Sequence, residues 1–202
     1  MTHFLYLVRH GQADLDHGPL SESGQQQARL TGQRLKDVPF SAIYHGPLPR
    51  AAQTASLIAA DLPGVPVSAC DLAGDYLPPV PDPDRLPPHF ASFIARFPVA
   101  ERTAGAKLAA EALERFARPS GDQDDTYELL VTHNLLIGWL VSQALDAPPW
   151  RWMGVNQMNC AVTILGYLPE SPAALISFND AGHLPPQLRW TGFPPALRPA
   201  AG

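Results

Sequence analysis

Apolar positions along the chain fall into two rhythms. Residues 3–8 (His-Phe-Leu-Tyr-Leu-Val) form a short unbroken apolar and aromatic run, the pattern of a strand buried on both faces. Residues 42–44 and 127–131 (Tyr-Glu-Leu-Leu-Val) repeat it, 65–69 give an edge-like strand, and 160–165 and 174–178 give two closing strands. Between them the spacing changes to helical. Ser21 is placed to cap a helix to about Lys36, with Gly24, Ala28, Thr31 and Leu35 on one face. Pro47 and Pro49 open a helix over about 50–60 with Ala51, Ala55, Ile58 and Ala59 inward. Further helices are predicted over 89–97, 102–118 (Leu108, Ala112 and Phe116 on one face) and 135–145.

Strands alternating with helices predict an α/β fold, a three-layer sandwich around a mostly parallel sheet. The length, 202 residues, fits one domain. That domain is expected over residues 1–184, with a Pro-rich loop and variable helical region at about 77–118 and a C-terminal tail at 185–202. The 23 prolines cluster at 78–88 and after 185, where they argue for loops. A loop as long as 77–88 reads as a lid or specificity loop. Trp150 and Trp152 read as core anchors.

Charge narrows the function classes. With a net charge of −5 and only 14 Lys plus Arg, no basic surface for nucleic acid is expected. No apolar run reaches membrane-spanning length. The first residues lead straight into a strand without signal-peptide features, so a cytoplasmic protein is expected. Cys70 and Cys160 match no metal pattern and read as reduced thiols. No compact His/Asp/Glu cluster suggests a catalytic metal, and no cofactor is expected.

Three strand ends carry polar groups: Arg9-His10-Gly11-Gln12, the segment His45 to Thr54, and Thr132-His133-Asn134. Ligands of parallel sheets bind beyond the carboxyl ends of the strands. If these strands are neighbours, Arg9, His10, Arg50 and His133 converge. Two guanidiniums and two imidazoles around one point repel each other unless an anion binds between them, and the arginine fork suits phosphate oxygens.

Arg9-His10-Gly11 after a first strand resembles the signature of the histidine phosphatase superfamily, the phosphoglycerate-mutase-like proteins. Residues 20–28, 47–55, 131–134 and 178–184 are similar to that family's first helix, second arginine motif, second histidine motif and last-strand ending. The resemblance covers about residues 3–184. It implies a metal-independent phosphatase that acts on a phosphomonoester, small molecule or protein, through a phosphohistidine on His10. Arg9, Arg50 and His133 would hold the phosphoryl oxygens, and Gly11 would let the backbone approach the substrate. The family's leaving-group acid falls at Asp75 or Asp71. The run 71–84 resembles the mitochondrial Ser/Thr protein phosphatase branch, which favours Asp75, an Asp where the family commonly has Glu.

Two other readings stay open. One is a phosphoglycerate-type mutase, although the Trp-Asn pair typical after the first motif is replaced by Ala13-Asp14-Leu15-Asp16-His17. The other is a catalytically weak phosphoprotein-binding module. Gln12, His17, His45 and Asn134 are candidates for the pocket rim. His3, His89 and His183 read as structural, and Arg96, Arg102 and Lys107 as a solvated helix face. Oligomeric state is open, a dimer included.

Overall fold

A computed structural model describes residues 1–14, 18–80 and 86–199. Six strands, β1 (His3–Arg9), β2 (Ala42–His45), β3 (Val67–Ala69), β4 (Thr126–Thr132), β5 (Val162–Tyr167) and β6 (Ala174–Asp180), form one sheet in the order β3-β2-β4-β1-β5-β6. β3, β2, β4 and β1 run parallel, and β5 is antiparallel to both of its neighbours. The helices are α1 (Glu22–Leu35), α2 (Pro49–Ala59), α3 (Pro88–Ile94), α4 (Val99–Phe116) and α5 (Asn134–Ala144).

Strand alternation divides the core into two layers. On one face Val8, Ile43, Leu129 and Val131 pack with Ala51, Ala55 and Ile58 of α2 and Leu35 of α1. On the other, Leu5, Leu7 and Leu130 pack with Phe116 of α4 and Leu136, Ile137 and Leu140 of α5. Burial on both faces is why β1 and β4 read as continuous apolar runs. The result is the expected three-layer sandwich with a mostly parallel sheet.

Ser21 caps α1 by accepting from the Gly24 amide at 3.1 Å. β6 begins at Ala174 as its pattern suggests, whereas β5 begins two residues later than expected. Cys160 adopts φ +55°, and its amide donates to the Arg9 carbonyl, so β5 starts at Val162. Trp152 is fully buried, and its indole N–H donates to the Pro79 carbonyl, which ties the start of the Pro-rich segment to the core. The middle of that segment, 81–85, lies outside the described residues. Residues 185–199, expected as a tail, turn back onto the domain. Leu184 and Leu188 bury against Leu20, Ala28, Met158 and Cys160.

Candidate active site

β1 and β4 are in register at Arg9 and Thr132, and β2 and β4 at His45 and Val131. The three polar strand ends are therefore adjacent. A cavity of about 700 Å³ opens beyond them, and Arg9, His10, Arg50, Asp75, His133 and Asn159 are among the residues that wall it. α2 and α5 both begin here, and neither start has a side-chain cap. The positive dipole ends of the two helices favour an anion.

The loop after β1 is fixed at every residue. The His10 amide donates to the Thr132 carbonyl at 2.9 Å, the Gly11 amide to Thr54 Oγ1 at 3.0 Å, and the Gln12 amide to Gln27 Oε1 at 2.9 Å. The His10 carbonyl accepts from Asn159 Nδ2 at 2.7 Å. Gly11 serves close packing within the fold: a Cβ there would sit 2.6 Å from the Gly24 carbonyl oxygen. It is buried against α1 and does not wall the cavity.

His10 has one tautomer available. Its Nδ1 lies 2.7 Å from the Gly11 carbonyl, which only accepts, so Nδ1 carries the proton. Nε2 then presents a lone pair, toward which Arg50 Nε–H points at 3.1 Å. Burial, with the nearby His133 and Arg9 charges, pushes the imidazole down to about 3. His10 is therefore a neutral imidazole of fixed orientation at physiological pH.

Arg50, only 4% exposed, donates from Nη2 to Asp75 Oδ2 at 2.8 Å, and the same oxygen lies 3.6 Å from His133 Nδ1. The His10 and His133 rings lie 5.0 Å apart, centroid to centroid. Arg9 donates from Nη1 to the carbonyls of Gln157 and Gly192, both at 2.7 Å. Burial lowers its guanidinium to about 10, and Asp75 opposes that shift. It stays a cation near neutrality.

Of the two acid candidates, Asp75 walls the cavity and Asp71 does not. Asp71 begins a 3-10 turn, Asp71–Ala73, whose last carbonyl accepts from Thr132 Oγ1 at 2.7 Å. Gln12 and Asn134 also wall the cavity. His45 does not: its Nδ1 contacts the Gly46 carbonyl at 2.8 Å at the end of β2. His17 lies outside the described residues. Sequence reasoning missed Asn159 and Gly192, and it assigned Arg96 to a solvated helix. Arg96 and Phe97 instead occupy the turn after α3 and face the cavity. Pro98 was the available signal, because a proline disfavours helical conformation in the residue before it.

Among the described residues no group of three or more His, Cys, Asp or Glu side chains could hold a metal ion, and no helix is long and apolar enough to cross a membrane.

The sequence profile of the histidine phosphatase superfamily (branch 1) matches residues 5–72 and 97–180. Asp75 and the Pro-rich segment fall in the gap. The chain is 36% identical over 192 residues to the mitochondrial serine/threonine-protein phosphatase Pgam5 of Caenorhabditis briggsae, covering 90% of this chain and 64% of that protein. It is 31% identical over 195 residues to the human protein of that name, covering 92% and 65%. It thus spans just under two thirds of the length of these relatives. Among solved structures it is similar to phosphoglycerate mutase from Plasmodium falciparum, with 26% identity, TM-score 0.63, and 92% and 95% of the two chains covered. A putative alpha-ribazole-5'-P phosphatase from Escherichia coli shares the fold, with 19% identity, TM-score 0.69, and 88% and 97% covered. The relatives are named mitochondrial, which overturns the cytoplasmic expectation. That expectation rested on the first few residues, whereas the relatives extend beyond the matched region. By the profile match and these relatives, the chain belongs to branch 1 of the histidine phosphatase superfamily.

Proposed function

We propose that this protein hydrolyses phosphomonoesters through a phosphohistidine on His10, without a metal. The observation that carries this reading is the His10 imidazole. It is neutral, holds its proton on Nδ1, and keeps Nε2 on Arg50 Nε–H beside a cavity walled by Arg9, Arg50 and His133, a hydrogen bond that the incoming phosphoryl group displaces. Nε2 attacks phosphorus as the bond to the leaving oxygen breaks, and Asp75 supplies that oxygen's proton. Water then attacks the phosphohistidine, Asp75 takes a proton from it, and phosphate leaves. The cationic wall and helix starts stabilise charge on the equatorial oxygens. In the resting site Asp75 occupies Arg50 Nη2. Substrate must displace it, which frees both groups for their roles.

The relatives carry the name serine/threonine-protein phosphatase, so phosphoserine and phosphothreonine in proteins are the substrate class proposed here. The test is hydrolysis of p-nitrophenyl phosphate and of phosphothreonine peptides. His10→Ala should lose roughly 10³-fold or more, the scale for removal of a covalent nucleophile. Undiminished turnover by His10→Ala would refute the mechanism.

A further inference from the structure

The segment that follows β6 does more than cover the core. Gln27, fully buried on α1, donates from Nε2 to the Leu188 carbonyl at 2.8 Å and to Thr191 Oγ1 at 2.7 Å, while its Oε1 accepts from the Gln12 amide. Asn159, 3% exposed, donates its backbone amide to the Thr191 carbonyl at 3.0 Å and its Nδ2 to the His10 carbonyl. Gln27 through its carboxamide, and Asn159 through its backbone amide and carboxamide together, thus join residues 188–191 to the loop that carries the nucleophile. The next residue, Gly192, places its carbonyl on Arg9.

Both protons of Arg9 Nη1 are taken by backbone carbonyls, from Gln157 and Gly192. Among the described residues no carboxylate forms an ion pair with Arg9, so neutral carbonyls orient this cation. Its charge stays available to a substrate in the cavity that it walls. Gly192 also has φ +70°, and a Cβ there would lie 2.9 Å from Arg9 Cζ and 2.5 Å from Asn159 Oδ1. Only glycine meets both the backbone conformation and the close approach. Packing alone accounts for Leu188 and for the edge-to-face pair Trp190–Phe193. It does not account for a carbonyl set against the guanidinium that walls the cavity.

We infer that residues 188–193 are a positioning strap for the phosphate cradle, with Gly192 the positioning residue for Arg9 and with Gln27 and Asn159 its fastenings. This rests on the phosphate-binding reading of the cavity. A substitution at Gly192 acts chiefly through Arg9, with the Asn159 contact and the backbone strain as a smaller part, so most of its effect is lost when Arg9 is already absent.

The experiment is a double-mutant cycle of Gly192→Ala and Arg9→Ala, read as kcat/KM on p-nitrophenyl phosphate and as orthovanadate binding by calorimetry. Gly192→Ala should reduce both by about tenfold in the wild-type background and by no more than about threefold in the Arg9→Ala background, where only the Asn159 contact and the backbone strain remain. Equal losses in the two backgrounds, or no loss in the first, would overturn the strap. If Gly192→Ala does not fold, Thr191→Val removes only the hydroxyl bound by Gln27, and the same cycle applies with a loss of about threefold. Vanadate binding without turnover by the wild type would refute the hydrolase reading and leave the strap to be decided by the vanadate cycle.

Discussion

Replacing Asp75 with Asn removes a transferable proton while keeping an oxygen that can still accept from Arg50. The side chain is 32% exposed and bonded to Arg50 at 2.8 Å. The hydrogen bond survives in neutral form and the Asp75 end is partly exposed, but Arg50 is buried, so stability should fall by about 1 to 3 kcal/mol. Catalysis should respond according to the leaving group. An alkoxide departs poorly without a proton, and general acid catalysis contributes typically about 10²- to 10⁴-fold. Asp75→Asn should therefore slow a phosphoserine or phosphothreonine peptide by about that range. Nitrophenolate leaves readily unprotonated, so the aryl ester should lose about tenfold or less. KM should fall modestly for both esters, because a neutral amide competes less well than a carboxylate with the phosphoryl group for Arg50 Nη2. Steady-state kinetics on the two substrate types, with Asp71→Asn as the comparison, decides the matter. Equal losses on alkyl and aryl esters, or a leaving-group contrast in Asp71→Asn, would refute the assignment.

Four other outcomes follow from the geometry. Gly46→Ala would put a Cβ 2.4 Å from the Ala73 carbonyl oxygen and 3.1 Å from His133 Nε2, so it should lower both the melting temperature and kcat; unchanged values would show the contact to be looser. The His10 imidazole, held near 3, should show no NMR titration from pH 8 to 5 and impose no acid limb on kcat/KM there. The unfolded chain takes up the proton that native His10 refuses, so stability should decline as pH falls from about 6.5 toward 3, by at most about 1.4 kcal/mol per unit. His10→Asn should flatten that decline in urea titrations at several pH values. Because Arg9 and Arg50 supply the charge, EDTA should leave turnover unchanged; loss of activity restored by one metal would contradict this site.

The parallel core of the fold was legible because β1 and β4 bury both faces and α1 and α2 bury one each, which writes continuous apolar runs and a helical period plainly into the sequence. Arg9, His10, Arg50 and His133 were legible for a related reason. Each sits at the end of a strand or the start of a helix, where topology forces convergence. The supports were not. Gln157 and Gly192 act through backbone carbonyls, which any residue possesses, and Asn159 acts across a separation of 149 residues. Gly11 was legible as a required glycine but not for its reason, since its constraint is the backbone of α1 at Gly24. Residues 185–199 looked like a tail because prolines and short 3-10 turns carry no strand or helix period, although Leu184, Leu188 and Trp190 hold them in place.

The central claim is that phosphate passes through His10, and trapping the intermediate tests it most directly. Enzyme mixed with a ³²P-labelled phosphomonoester, quenched in alkaline denaturant during turnover and digested, should give one labelled peptide containing His10. The label should be lost in acid and absent from His10→Ala. A protein that turns over the substrate without labelling, or labels at another residue, would contradict the account.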